Sequence, residues 1–126
     1  MKKRKLFRAA LALFLLLALC IPASAAGFTG KLIAITFDDG PGAYTASLLD
    51  ELAARDVKAT FFVSGYRAKG YPETLKRMVA EGHQLSSHTQ NHENLNTLSS
   101  AKIASEISQT QELITAAGGD NPAYIR

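Results

Sequence analysis

The chain has 126 residues, of which 47% are apolar, 20% charged and 8% aromatic. That is the profile of one globular unit, and it excludes collagen, coiled-coil, disordered and multi-domain readings. The formal charge of +3 is local, because Lys2, Lys3, Arg4, Lys5 and Arg8 supply five of the fourteen basic residues and no acid precedes Asp38. These cations lead into an apolar run from Ala9 to Ile21 that ends in Pro22, Ala23, Ser24 and Ala25. Ala23 and Ala25 are the small residues of an A-x-A cleavage site, so residues 1–25 read as a secretory signal peptide cut after Ala25, with 26–30 as a short linker. The run is shorter than the ~20 residues of a spanning helix, so no stable membrane span is expected once it is removed. Residues 26–126 then carry nine basic and eleven acidic groups, a formal charge of −2, which removes the main support for nucleic-acid binding. The single cysteine, Cys20, lies inside the leader behind Leu19, where a lipid attachment site would want a small residue, and the exported part has no thiolate.

Along the exported part, strand-like runs alternate with helical patterns. Leu32 to Phe37 is almost continuously apolar, as expected of a strand buried on both faces of a parallel sheet, and Asp38, Asp39, Gly40, Pro41 and Gly42 break it. A helix follows from Thr45 or Ser47 to Arg55, with Leu48, Leu49, Leu52 and Ala53 inward and Asp50 as a capping partner of Ser47. A second strand spans Ala59 to Val63. Pro72 fits the first position of a second helix, with Leu75, Met78 and Val79 buried and a stop at Gly82. The third strand is His83 to Ser86, followed by a polar stretch from Ser87 to Leu98. A third helix, from Ser99 or Ser100 to Ala117, has Ile103, Ile107, Thr110 and Ile114 at helical spacing and ends at Gly118 and Gly119. After a turn at Asp120, Asn121 and Pro122, the residues Ala123, Tyr124 and Ile125 open a fourth strand. This order implies parallel strands joined by right-handed crossovers, an α/β fold comprising about half of a typical barrel.

Two clusters carry chemistry. Asp38 and Asp39 follow a buried strand at its carboxyl end, where parallel α/β folds place their sites. Adjacent carboxylates repel, and a bound cation would offset that repulsion, leaving one aspartate as ligand and the other as base. His88 and His92, four residues apart after the third strand, would on a helical turn bring both imidazoles to one side. One carboxylate and two imidazoles at the same end of the sheet form a three-ligand site with a position open, which is the pattern of a catalytic rather than a structural metal site. The donor set suits zinc, with cobalt, nickel or iron compatible by geometry. Such an ion can make water nucleophilic near neutral pH and polarise a carbonyl oxygen, so hydrolysis of an amide or ester is the reaction class. His83, at the strand entrance, reads as structural. Tyr44, Tyr66 and Tyr71 lie in loops where aromatic rings can stack on a sugar.

Thr36 to Pro41, Ala59 to Phe62, Gly82 with His83, and His88 with His92 together resemble the polysaccharide deacetylase family, the NodB-homology or carbohydrate esterase family 4 domain, over residues 31–126. The resemblance implies a distorted (β/α) barrel and a metal-dependent hydrolase that removes acetyl groups from carbohydrate. The substrates it implies are N-acetylglucosamine of peptidoglycan or chitin, or O-acetylated xylan. By position, Asp38 looks like the base that activates water, and Asp39, His88 and His92 like the metal ligands. Arg126 matches the first residue of a third motif whose charge positions the base. Against the family pattern, the chain reads as the amino-terminal part of the domain, ending near the fourth strand and lacking a counterpart of the histidine that serves as general acid. The expected function is therefore that of an exported deacetylase of the cell envelope acting on acetylated polysaccharide, or else of a non-catalytic metal- or glycan-binding remnant. Amino-terminal sequencing of the exported protein is expected to begin at Ala26; recovery of the intact leader from Met1 would contradict the cleavage.

Overall fold

A computed structural model describes residues 30–120 and 124–126. The signal peptide, all of the linker but Gly30, and the turn residues 121–123 lie outside the described residues. Residues Ile33–Arg126 form one compact unit. In this unit the elements follow as β1 (Thr36–Gly40), α1 (Thr45–Ala54), β2 (Thr60–Val63), α2 (Gly65–Ala68), α3 (Pro72–Ala80), β3 (Gln84–Ser87) and α4 (Ser100–Ala116), with a 3-10 turn at Leu95–Thr97 before α4. The strands form one parallel sheet in the order β1-β2-β3. Beyond β3, Ser87 forms a parallel bridge with Ile125, its N–H donating to the Tyr124 carbonyl at 3.3 Å. The α/β architecture read from the alternation is present, and where a fourth strand was expected the described residues show an isolated bridge at Ile125.

Three helices deliver the chain to the next segment by the same device. At the end of α3, Gly82 adopts a left-handed φ of 79°, and the N–H groups of Gly82 and His83 close back on the carbonyls of Val79 and Met78 at 2.9 and 3.0 Å. This is a Schellman motif, which satisfies carbonyls that the last turn leaves unpaired. Gly118, with φ 89°, ends α4 in the same way through Gly118 and Gly119. Helix α1 uses Asp56, with φ 50°, while Val57 donates to the Leu52 carbonyl at 2.9 Å. The two glycine stops are visible as sequence signals, and the aspartate is not.

Strand alternation sorts the sheet into two faces. Phe61, Val63 and Leu85 join Leu49, Leu75, Met78 and Ile114 in the buried core, where Phe61 stacks on Phe37 with ring centroids 5.2 Å apart. Thr60 and Gln84, partners across β2 and β3, share a 2.9 Å hydrogen bond between side chains. Arg77 of α3 clasps α1 by pairing with Asp50 and donating to the Ala46 carbonyl. Asp50 therefore does not cap Ser47, whose hydroxyl donates to the Tyr44 carbonyl instead.

The first strand lies further along the chain than its apolarity suggests. Leu32 and Ile33 are 79% and 86% exposed, and the ladder with β2 begins only at Thr36, opposite Thr60. Leu32 and Ile33 have no partner in the ladder, and the paired strand itself stays open, with Phe37 and Gly40 half-buried and Thr36, Asp38 and Asp39 exposed. Ala53 is exposed, and α2 was not expected at all. The start of the polar stretch is also the reverse of a solvated loop: Ser87, His88, Thr89 and Gln90 are buried.

His83 is the structural residue its position suggested. Its Nδ1 accepts the Ala59 N–H at 3.2 Å, and its ring packs edge-on to Phe61 at 5.3 Å. Burial lowers its pKa from 6.5, more strongly than the Glu81 charge raises it. The unfolded chain therefore binds a proton below pH 6.5 that the folded ring resists, so stability is full above that pH and declines as pH falls from 6.5 toward the folded-state value. The unfolding temperature is expected to drop between pH 7 and 5, and to drop less in His83→Asn, which keeps an acceptor for Ala59; equal slopes would contradict this.

Candidate metal centre

Side chains of consecutive strand residues point to opposite faces, so two adjacent aspartates in a regular strand could not serve one site. The register of β1 against β2 solves this. Asp38 pairs with Phe62 and Gly40 with Val63, leaving Asp39 as the extra residue of a bulge, with a left-handed φ of 65°. A bulge re-aims a side chain, and aspartate tolerates this conformation better than most residues. Both aspartates thus belong to the end of the strand itself rather than to the turn after it.

Asp39 faces the imidazoles. Its Oδ1 lies 3.4 Å from His88 Nε2 and 3.5 Å from His92 Nε2, and one ligand atom from each of the three residues lies within 4.8 Å of the other two. The ring centroids of His88 and His92 are 4.6 Å apart. No helical turn produces this convergence, contrary to the reading from spacing. The chain leaves β3 through left-handed residues at Thr89 and His92, with φ of 63° and 57°. Thr89 Oγ1 accepts the His92 N–H at 3.1 Å, and the carbonyls of Thr89 and Gln90 accept the N–H groups of Gly65 and Tyr66 at 3.0 and 2.8 Å.

Asp38 faces the other way, to Arg126. The guanidinium Nη1 lies 3.2 and 3.3 Å from the two Asp38 oxygens and donates to Thr36 Oγ1 at 3.2 Å, with the cation 4.5 Å above the Phe62 ring. Both partners are partly exposed, and such a pair contributes only about 0–1 kcal/mol to stability. Its consequence is orientation of the carboxylate. The main-chain oxygen of Arg126 also lies 2.6 Å from His88 Nδ1. An oxygen without a proton only accepts, so Nδ1 donates to it, and Nε2 is the ring nitrogen turned toward Asp39. This is the arrangement found behind metal-ligating histidines, and the donor set of one carboxylate and two such nitrogens fits a divalent transition ion.

One further residue, which the sequence does not mark as a site residue, belongs to this region. Glu106 is 0% exposed; its Oε2 accepts the Asn91 N–H and its Oε1 the Asn91 Nδ2–H, each at 2.7 Å. Burial alone would raise its pKa, but the bonds from Asn91 and the Lys102 ammonium outweigh that and hold it below the usual carboxylate range. The available signal was an acid at i, i+4 and i+8 with Thr110 and Ile114, the stripe that is in fact buried, whereas Ile103 and Ile107 are half-buried. Tyr44 and Tyr66, which follow β1 and β2, are exposed. Tyr71 is at the edge of exposure, and none of the three has a hydrogen bond or ring contact with Asp39, His88 or His92 among the described residues.

A parallel α/β sheet with an aspartate pair at the end of its first strand and a histidine pair after its third defines the class. The polysaccharide deacetylase family model matches residues 25–126, and the chain belongs to that family. It is 47% identical over 96 residues to a chitin deacetylase of Pestalotiopsis sp, covering 74% of this chain and 32% of that one. The peptidoglycan deacetylase PdaC of Bacillus subtilis superposes with a TM-score of 0.74 at 42% identity, over 78% of this chain and 49% of that one. A family 4 acetyl xylan esterase from Clostridium thermocellum in complex with a cobalt ion superposes with a TM-score of 0.72 at 37% identity, over 76% and 48%. The chain thus spans about a third to a half of the length of these relatives.

The backbone at Asp39 gives a direct check. Asp39→Val is expected to cost about 1–2 kcal/mol in urea unfolding, because a β-branched residue resists the left-handed region, while Asp39→Asn stays within about 0.5 kcal/mol. Equal stability of the two variants would contradict the bulge.

Proposed function

We propose that this chain is an exported, metal-dependent carbohydrate deacetylase acting on acetylated polysaccharide of the N-acetylglucosamine type, as in peptidoglycan or chitin. One observation carries the reading: Asp39, His88 and His92 converge within 4.8 Å beside an Asp38 carboxylate held by Arg126. Asp39, His88 and His92 would hold the cation, zinc by preference, with cobalt, nickel or iron compatible. Bound there, it supplies Lewis acidity toward the acyl oxygen and the attacking water. Asp38 takes the proton from that water, and Arg126 keeps its carboxylate aimed. The water oxygen bonds to the acetyl carbon, the carbon–nitrogen bond breaks, and acetate leaves as the amine gains a proton. Tyr44, exposed just before α1, and Tyr66, exposed in α2, would offer stacking surfaces for sugar rings. Export rests on the leader, with cleavage after Ala25, which puts the protein in the cell envelope or outside it. Among the described residues no helix is long and apolar enough to cross a membrane.

A second reading, a metal- or glycan-binding protein without turnover, is favoured by the histidine count. Among the described residues two imidazoles stand at the proposed metal site and the third, His83, is buried at the entrance of β3, so none of the three is left to protonate the leaving amine. Acetate release from N-acetylated chito-oligosaccharides by the zinc-loaded chain separates the two. The deacetylase reading expects release that chelation abolishes and that Asp38→Asn lowers by about 10²–10⁴, the usual worth of a general base. Glycan binding with no acetate released, or release indifferent to Asp38→Asn, would overturn it.

A further inference from the structure

The turn that presents His92 is held in an unfavourable conformation. Thr89 is β-branched yet left-handed at φ 63°, and His92 is left-handed at φ 57°. Residues in such regions cost about 1–3 kcal/mol each and persist only where the surroundings over-determine them. Four hydrogen bonds are local to the turn or to its neighbours on β3 and α2: those of Thr89 N–H to Ser87 Oγ at 3.2 Å, of His92 N–H to Thr89 Oγ1, and of the Gly65 and Tyr66 N–H groups to the Thr89 and Gln90 carbonyls. None grips Asn91, the residue before His92, and its restraint comes from a distant helix.

Glu106 stands on the core-facing stripe of α4 with Thr110 and Ile114, all three fully buried. An apolar side chain there would pack the helix against the sheet without the desolvation cost of a carboxylate. The carboxylate instead spends both oxygens on Asn91, one on its backbone N–H and one on its side-chain amide, at 2.7 Å each. Lys102, 3.3 Å away, balances its charge and also reaches Glu93 at 3.5 Å, one residue after His92. The turn is therefore gripped on both sides of the imidazole from α4.

We propose that Glu106 is a positioning residue: by gripping Asn91 at two points it fixes the turn that brings His92 beside Asp39 and His88. The inference deepens the metal-site reading and rests on it. It assigns α4, remote from the strand ends in sequence, a part in ion affinity that packing alone does not require.

The test is zinc affinity of the full chain, by competition with a chromophoric chelator, together with the visible spectrum of the cobalt-loaded protein and thermal unfolding. Glu106→Ala is expected to weaken zinc binding about 10- to 100-fold, the usual effect of removing a group behind a ligand, and to shift the cobalt bands. Asn91→Ala, at an exposed residue, weakens binding in the same direction and remains informative if Glu106→Ala fails to fold. The double variant binds no more weakly than Glu106→Ala, because both act through one contact. Glu106→Gln, which keeps an acceptor for the Asn91 N–H, recovers part of the loss. Parent-like affinity and cobalt spectra in both Asn91→Ala and Glu106→Ala, with only the unfolding temperature lowered, would overturn the inference and leave the metal site standing. A parent that takes up no zinc, or takes it up equally after both imidazoles are replaced, would overturn the metal reading and this inference with it.

Discussion

Two carboxylates placed side by side at a strand end repel each other, and the arrangement of the whole carboxyl end of the sheet follows from separating them. A regular strand would send Asp38 and Asp39 to opposite faces. The bulge at Asp39 lets both serve one end while each has a different partner. Asp38 turns to a fixed cation, the Arg126 guanidinium, and Asp39 to the Nε2 atoms of two imidazoles. The same Arg126 supplies the main-chain oxygen that orients His88. One residue beside β3 thereby orients both the Asp38 carboxylate and the His88 ring, and neither task requires a large contribution to stability.

The supporting layers divide their work by chemistry. Apolar side chains of β2 and β3 pack against α1, α3 and α4 and hold the strands in register. At the other edge of the same sheet, a buried polar layer of Ser87, Thr89, Gln90 and Glu106 supplies the turn carrying His92 with hydrogen bonds that water would otherwise provide. Buried polar groups are ordinarily paired; Gln90 Oε1 is without a partner among the described residues, but the bonds from Ser87, Thr89 and Glu106 converge on a turn whose left-handed residues would not hold themselves.

Much of the fold could be read from periodicity and punctuation. Pro72, Gly82 and Gly118 mark helix ends because their backbone preferences are local, and the helices at 45, 72 and 100 begin where expected. The first strand was misplaced by its apolar run, because burial depends on a neighbouring strand that no local signal reveals. The site residues Asp38, Asp39, His88 and His92 stood out by chemistry, but the means of bringing them together did not. A one-residue bulge and two left-handed turn residues, at Asp39, Thr89 and His92, have no glycine to announce them. Glu106 was missed for the opposite reason: an acid in a helix is ordinarily solvated, and only the turn it grips explains its burial.

The central claim is that one cation is shared by Asp39, His88 and His92 while Asp38 remains free of it. Anomalous diffraction at the zinc edge from crystals of the full chain tests this most directly. The account predicts a single peak about 2.0–2.2 Å from His88 Nε2, His92 Nε2 and an Asp39 oxygen, with Arg126 still paired to Asp38. A peak bound through the Asp38 carboxylate or His88 Nδ1, or none at these three residues, would contradict it.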